Sequence, residues 1–335
     1  MRLFIYELVS GGGLGVDAPA SLRREGWAML RAAAEDFSPL PGIHVITLLD
    51  DRHPEPLGHE CRRKTSHLPF HDFHACVVEA DAVLLIAPEF MDILSNLSHA
   101  VLRAERRLLG CMPPAVELAG DKLETARHWQ RTHVPTPAVE LATERPPDSI
   151  PPPWVCKPRH GAGSQATYLV PDRASWSGVF EHACAEWPKN DLLAQTYVAG
   201  LPASVSFLLG PGRCVPLMPA AQTLTHDGRF QYRGGRVPLS PPLWDRAVRL
   251  GRAAIAGMVG LQGYVGVDLV LGNAADGTED HAIEINPRLT TSYIGLRQLC
   301  RMNLAAAWLD VLDGKAVELA WDTVPVEFAA DGTVD

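Results

Sequence analysis

Apolar residues in this chain recur in short runs, separated by segments whose apolar positions repeat at helical spacing. Residues 3–9 form an apolar run broken by Glu7, which reads as a strand buried on both faces. The pattern then gives a helix over 21–37, a strand over 44–48, a helix over 73–80, a strand over 82–86 and a helix ending near Leu109. Strands alternating with helices imply a parallel sheet covered on both sides, so residues 1–115 are expected to form one α/β domain.

A second unit opens at Asp121, an acid heading a helical pattern that stops before Pro135 and Pro137. Strands are expected at 138–141, 154–157, 166–170 and 192–198, with a helix over 174–186. Residues 143–153 are rich in proline and read as a stiff surface spacer. Further on come strands at 203–209 and 214–223, a Gly- and Arg-rich loop at 225–242, and a helix over 243–259. Strands 263–271 and 281–285 are joined by a turn holding Asn273, Asp276 and Gly277, residues that hairpin loops favour. The expected division is a central subdomain at 116–194, a closing subdomain at 195–325 and a loose acidic tail at 326–335.

With 335 residues and 47% hydrophobic content the chain can bury sizeable cores. A net charge of -9 supplies no field toward nucleic acid or an anionic membrane, so neither is expected as a partner. The first apolar run is short and contains an acid, unlike a secretory leader, and nothing approaches the roughly 20 apolar residues of a membrane span. Seven scattered cysteines without a CxxC pair argue against a disulfide framework or a zinc ribbon. A soluble protein of the reducing cytoplasm is expected.

Chemistry concentrates in two places. Asp268 and Glu284 sit inside apolar strands, where an unpaired carboxylate costs several kcal/mol. If those strands pair antiparallel, Asp268 meets Glu284 and Asn286, which share a face because they are two apart. Three oxygen donors suit Mg²⁺, which completes its octahedron with water and phosphate. The alternative is that each carboxylate pairs with an arginine such as Arg288 or Arg297. Separately, Lys157 ends a buried strand and is followed by Gly161, Gly163 and Ser164. Glycines let backbone N–H groups approach phosphate, and the lysine adds a point charge. The order differs from GxxxxGK[ST], which excludes a P-loop; an ordinary hairpin turn is the alternative.

Asp121-Lys122, Val134-Pro135-Thr136-Pro137, Lys157-Pro158 with Gly161-Ala162-Gly163-Ser164, Gln195-Thr196-Tyr197-Val198, and Asp268 with Glu284-Ile285-Asn286-Pro287-Arg288 together resemble the ATP-grasp superfamily in order and spacing. The resemblance implies an ATP-grasp fold behind a Rossmann-like α/β domain, and an enzyme that uses ATP and two Mg²⁺ ions, with Mn²⁺ able to substitute. It assigns Lys122 and Lys157 to the α- and β-phosphates and residues 161–164 to a loop closing over them. Gln195, Tyr197 and Val198 fall on the strand that borders adenine. Asp268, Glu284 and Asn286 match the metal ligands, and Arg288 an arginine that steadies the transferring phosphoryl. The sequence departs at Leu201-Pro202-Ala203-Ser204, where a ribose-holding glutamate is often found.

More narrowly, Tyr6-Glu7 with Ser10-Gly11-Gly12-Gly13, the 200–206 segment and Tyr232-Arg233-Gly234-Gly235-Arg236 resemble the branch that contains tyramine–L-glutamate ligase, an enzyme of methanofuran synthesis. The implied reaction joins an amino-acid carboxylate, glutamate above all, to a tyramine- or tyrosine-like amine through an acyl phosphate. Ligation of other amino acids or peptides, and ATP binding without chemistry, are the alternatives. Arg233 and Arg236, on a loop hinged by Gly234 and Gly235, are placed to clamp a carboxylate, and Glu7 at a strand end is placed to hold an ammonium. Each is also readable as a solvent-facing charge or a local ion pair. His160, inside the glycine turn, is a candidate for phosphate or substrate contact. The small-molecule partners leave a homodimer open.

Three signals are set aside. Gly11-Gly12-Gly13-Leu14-Gly15 lacks the third glycine of a dinucleotide fingerprint. Six histidines between His44 and His74 are spread over loops and a helix start, and read as surface residues. Neither GxSxG nor HExxH occurs.

Overall fold

A computed structural model describes residues 1–15, 18–51, 53, 59–66, 68 and 70–334. His67 of the histidine-rich segment lies outside them.

The first sheet is built from β1 (Arg2–Glu7), β2 (His44–Leu49), β3 (Glu60–Arg63), β4 (Ala82–Ile86) and β5 (Arg107–Leu108), all parallel, in the order β3-β2-β1-β4-β5. Leu3, Phe4, Ile5 and Tyr6 are all buried, as a central parallel strand requires. Helices α1 (Ala20–Phe37), α2 (His71–Glu79) and α3 (Ile93–Arg103) cover it. The chain leaves through α4 (Pro113–Gly120) and α5 (Lys122–Arg131). Asp121 caps α5, its carboxylate accepting from Leu123 N and Glu124 N at 3.1 Å each.

The second sheet is antiparallel: β6 (Val139–Leu141), β7 (Trp154–Pro158), β8 (Tyr168–Val170) and β9 (Leu192–Thr196), ordered β6-β9-β7-β8, with α6 (Trp176–Glu186) against it. The third comprises β10 (Leu201–Gly210), β11 (Arg213–Pro216), β12 (Ala220–Leu224), β13 (Tyr232–Val237), β14 (Gly263–Leu271), β15 (His281–Asn286) and β16 (Val326–Ala329). Its order is β15-β14-β10-β12-β13-β16, with β11 on the far part of β10. Helices α7 (Pro241–Ile255), α8 (Ser292–Leu299) and α9 (Leu304–Leu312) pack on it.

Three expectations change here. The strand read at 214–223 is two strands, interrupted by an irregular stretch at 217–219 that still follows β10. The loop read at 225–242 contains β13, paired on both sides. The tail read at 326–335 contributes β16, which closes the sheet beside β13.

The first and third sheets share their interiors. Phe4 and Tyr6 continue through Val116 and Trp129 into Val205 and Val267. On the other face Leu3 and Phe37 continue into Tyr264, Tyr293 and Trp308. Cys111 is buried in this joint core, its thiol donating to Gln262 O at 3.2 Å. The second sheet keeps a separate core of Trp154, Cys156, Trp176, Phe180 and their neighbours. The described residues include no helix long and apolar enough to cross a membrane.

Candidate active site

Between the second and third sheets lies one groove. Its floor is the β14–β15 hairpin, whose register sets Asp268 opposite Glu284 and Gly266 opposite Asn286. Both carboxylates therefore face the groove from directly paired positions, the arrangement expected from spacing. Gln222 Nε2 on β12 donates to Asp268 Oδ1 at 2.8 Å, and Asn286 Nδ2 donates to Oδ2 at 3.0 Å. Burial and the facing Glu284 together push the Asp268 carboxyl up to about 7. Glu284 is also penalised by burial, but Lys122 and Lys157 outweigh this and hold it below the usual carboxylate value.

Across from the hairpin, Lys122 Nζ stands 3.3 Å from Glu284 Oε2 and donates to Gly161 O at 2.6 Å. Lys157, at the end of β7, is buried, and desolvation pulls its ammonium down to about 8. The turn after it is tight. Gly163 takes φ +66°, a conformation that suits glycine, and Ser164 Oγ donates to Phe230 O at 2.8 Å. Gln195 on β9 is buried, and the Tyr197 ring stacks on Phe230 at 6.0 Å. Lys122, Lys157, Gly161, Gly163, Ser164, Gln195, Tyr197, Val198, Asp268, Glu284, Asn286 and Arg288 all line this groove.

The arginine-pairing alternative for the two carboxylates does not hold. Arg288 Nε donates to Glu89 Oε1 at 3.0 Å, and Arg297 pairs with Asp36 and Glu35. Two inward carboxylates, an asparagine amide and two lysines form a polar set that oxygen-seeking Mg²⁺ and a polyphosphate would complete. Among the described residues no three His, Cys, Asp or Glu side chains converge on a metal position. The donor set thus fits a hard cation that takes further oxygens from phosphate, and not a self-sufficient site.

Five expected site residues fall elsewhere. The Glu7 carboxylate turns back on its own chain, accepting from Val9 N at 3.0 Å and from Ser10 N and Oγ at 2.7 and 2.5 Å. Burial raises its pKa despite those bonds, and no room is left for an ammonium. His160 turns from the groove to Asp191 at 2.5 Å and Asp121 at 3.6 Å. Arg233 is exposed and donates to Gln231 at 3.0 Å. Gly234 and Gly235 are not hinges: they lie within β13, where a Cβ would meet Phe328 O at 2.0 Å and Ala221 O at 2.6 Å. Glycine serves there to let three strands pack closely.

Gln222, Tyr232 and Glu25 line the groove and Glu89 braces Arg288, although none of the four is expected from the sequence as a site residue. Gln222 and Tyr232 lie on strands that had been read across a break or as loop. Glu89 follows β4 and reaches Arg288 across the boundary between the first and third sheets. Glu25 enters the groove from α1. Its only local sign is the pair Glu25-Gly26, a glycine inside an otherwise strong helical pattern.

Comparison with known proteins agrees with this architecture. Residues 119–292 match the ATP-grasp domain family, and residues 43–116 match the pre ATP-grasp 3 domain. A tyramine–L-glutamate ligase of Methanocaldococcus jannaschii is 30% identical over 217 residues, 65% of this chain and 58% of that protein. The tyramine–L-glutamate ligase of Methanocaldococcus fervens is 26% identical over 79% of this chain and 73% of its own length. A crystal structure from Archaeoglobus fulgidus, described as of the ATP-grasp superfamily, superposes with a TM-score of 0.74 at 23% identity, covering 98% of this chain and 92% of that one. With its antiparallel sheets facing each other across the groove and a parallel domain ahead of them, the chain belongs to the ATP-grasp family.

Proposed function

We propose that this protein is an ATP-dependent ligase that joins a carboxylate, glutamate foremost, to a tyramine- or tyrosine-like amine. The observation that carries the reading is the facing of Asp268 and Glu284 by Lys122 and Lys157 within a single groove. ATP would lie with adenine near Gln195, Tyr197 and Val198 and its phosphates beneath Lys122, Lys157 and the glycine turn. Asp268, Glu284 and Asn286 would hold Mg²⁺, which when bound offsets phosphate charge.

The donor carboxylate then attacks the γ-phosphoryl group, releasing ADP, and the amine displaces phosphate from the acyl phosphate. Such chemistry asks mainly for positioning and charge neutralisation. Lys122 and Lys157 supply cations to the phosphates, and Arg288, fixed by Glu89, supplies one to the transferring group. Support for glutamate and tyramine comes from the relatives that carry that activity in their names.

An ADP-release screen tests the reading, with glutamate against tyramine, tyrosine and aliphatic amines and mass detection of products. ADP release is expected only when Mg²⁺ and a carboxylate are present, with a product mass equal to acid plus amine less water. ADP release indifferent to every acid, or none with any pair, would overturn it.

A further inference from the structure

Beside Arg288 the groove is walled by α1 of the first domain, which presents Glu25 and, one turn later, Met29. The helix lies this close because residue 26 is glycine: a Cβ there would stand 2.5 Å from the Glu7 carboxyl carbon, which is itself pinned by Val9 and Ser10. Glu25 is partly buried and forms no hydrogen bond or ion pair with any described residue. Arg288 and Arg24 act on it only at longer range, and burial prevails, raising its pKa. Tyr232 lines the same groove, and its buried hydroxyl feels both Asp268 and Glu25. A carboxylate drawn out of water without a partner costs free energy, and the cost is recovered if a cation arrives.

We propose that Glu25 holds the ammonium nitrogen of the acceptor amine and takes the proton that must leave before that nitrogen attacks. This inference rests on the ligase reading above. The acceptor is favoured over the donor because Glu25 lines the same groove as Arg288, the side chain assigned to the transferring group, and the attacking nitrogen must reach the carbon that carries it. The ammonium gives one proton to Glu25, which passes it to solvent. The nitrogen lone pair forms the C–N bond, the C–O bond to phosphate breaks, and the departing phosphate takes the second proton. Acceptors that enter as cations thereby depend on Glu25, and an uncharged nucleophile does not.

Hydroxylamine separates this role from a structural one, because it is uncharged at neutral pH and needs no proton removed before attack. With ATP, Mg²⁺, glutamate and hydroxylamine, Glu25→Gln should form hydroxamate at the wild-type rate. With tyramine its kcat/KM should fall about 10²-fold, the usual scale for a lost general base. Glu25→Asp, which keeps the charge, should recover part of the loss, and thermal melting should show all three proteins folded. Equal loss with both nucleophiles would place Glu25 in donor activation or structure and overturn the proposal, as would no loss with either. A wild-type protein that makes neither product would instead fail the ligase reading, and the proposal with it.

Discussion

The second sheet encloses its core alone, whereas the first and third sheets bury theirs jointly. The groove runs along that divide. Lys157, the glycine turn, Gln195 and Tyr197 belong to the separate lobe. Asp268, Glu284, Asn286, Arg288 and Glu25 belong to the joint body. Lys122 sides with the body, because α5 is anchored there by Trp129, whose Nε1 donates to Ala254 O at 2.8 Å. Across the divide run polar contacts, among them Arg159 to Asp121 at 2.5 Å, Ser164 to Phe230 and Arg229 to Glu186 at 3.0 Å, and ring contacts of Tyr197 with Phe230 and of Phe90 with Trp187. Acidic groups thus stand on the joint body while one of the two lysines is carried by a lobe with its own core, which is expected to open as a separate unit.

The division is most directly broken by two tryptophan truncations. Trp308→Ala, in the joint core, should lower the stability of the whole body by about 3–5 kcal/mol in denaturant titrations. Trp154→Ala, in the lobe core, should instead remove amide-exchange protection from residues 139–196 while β1, β4 and β14 stay protected. Simultaneous loss of protection in all three sheets would show a single cooperative unit.

A smaller effect sharpens which part supplies the charge. Lys157→Ala should reduce ATP-dependent turnover about 10²–10³-fold without lowering Tm, since burial already weakens the ammonium and folding gains little from it. Undiminished turnover would take Lys157 out of the phosphate site. The smallest effect concerns the seam. The Arg229 guanidinium stands 3.9 Å over the Tyr168 ring and pairs with Glu186, a partly exposed contact worth about 0.5–1 kcal/mol. Arg229→Ala should therefore raise KM for ATP about two- to fivefold with kcat unchanged; a fall in kcat alone would contradict a role in holding the lobe closed.

Much of this was legible in the sequence because periodicity and local chemistry agree there. The β14–β15 hairpin announced itself by acids inside apolar strands, and β1, β2 and β4 by buried runs. Failures cluster where tertiary packing decides. Gly234 and Gly235 look like hinges in one dimension, yet their missing side chains make room for Phe328 and Ala221 from strands before and after them. The 326–329 segment is too short to advertise a strand until β13 offers it an edge. Glu25 and Glu89 gain meaning only once the first domain is docked, and Glu7 lost its assigned task because Val9 and Ser10 turn back upon it. The first-domain helix position that admits Glu25 depends on a single missing methyl group at Gly26.

The cysteine next to Lys157 has a counterpart in the other part of the molecule. Cys156 is sealed in the lobe and Cys111 in the body, and burial pushes each thiol up to about 12. Neither can react with an alkylating reagent until its surroundings breathe. The native chain therefore carries two internal clocks, and residue-resolved labelling times would read how often each half opens, with and without nucleotide, in an unaltered protein.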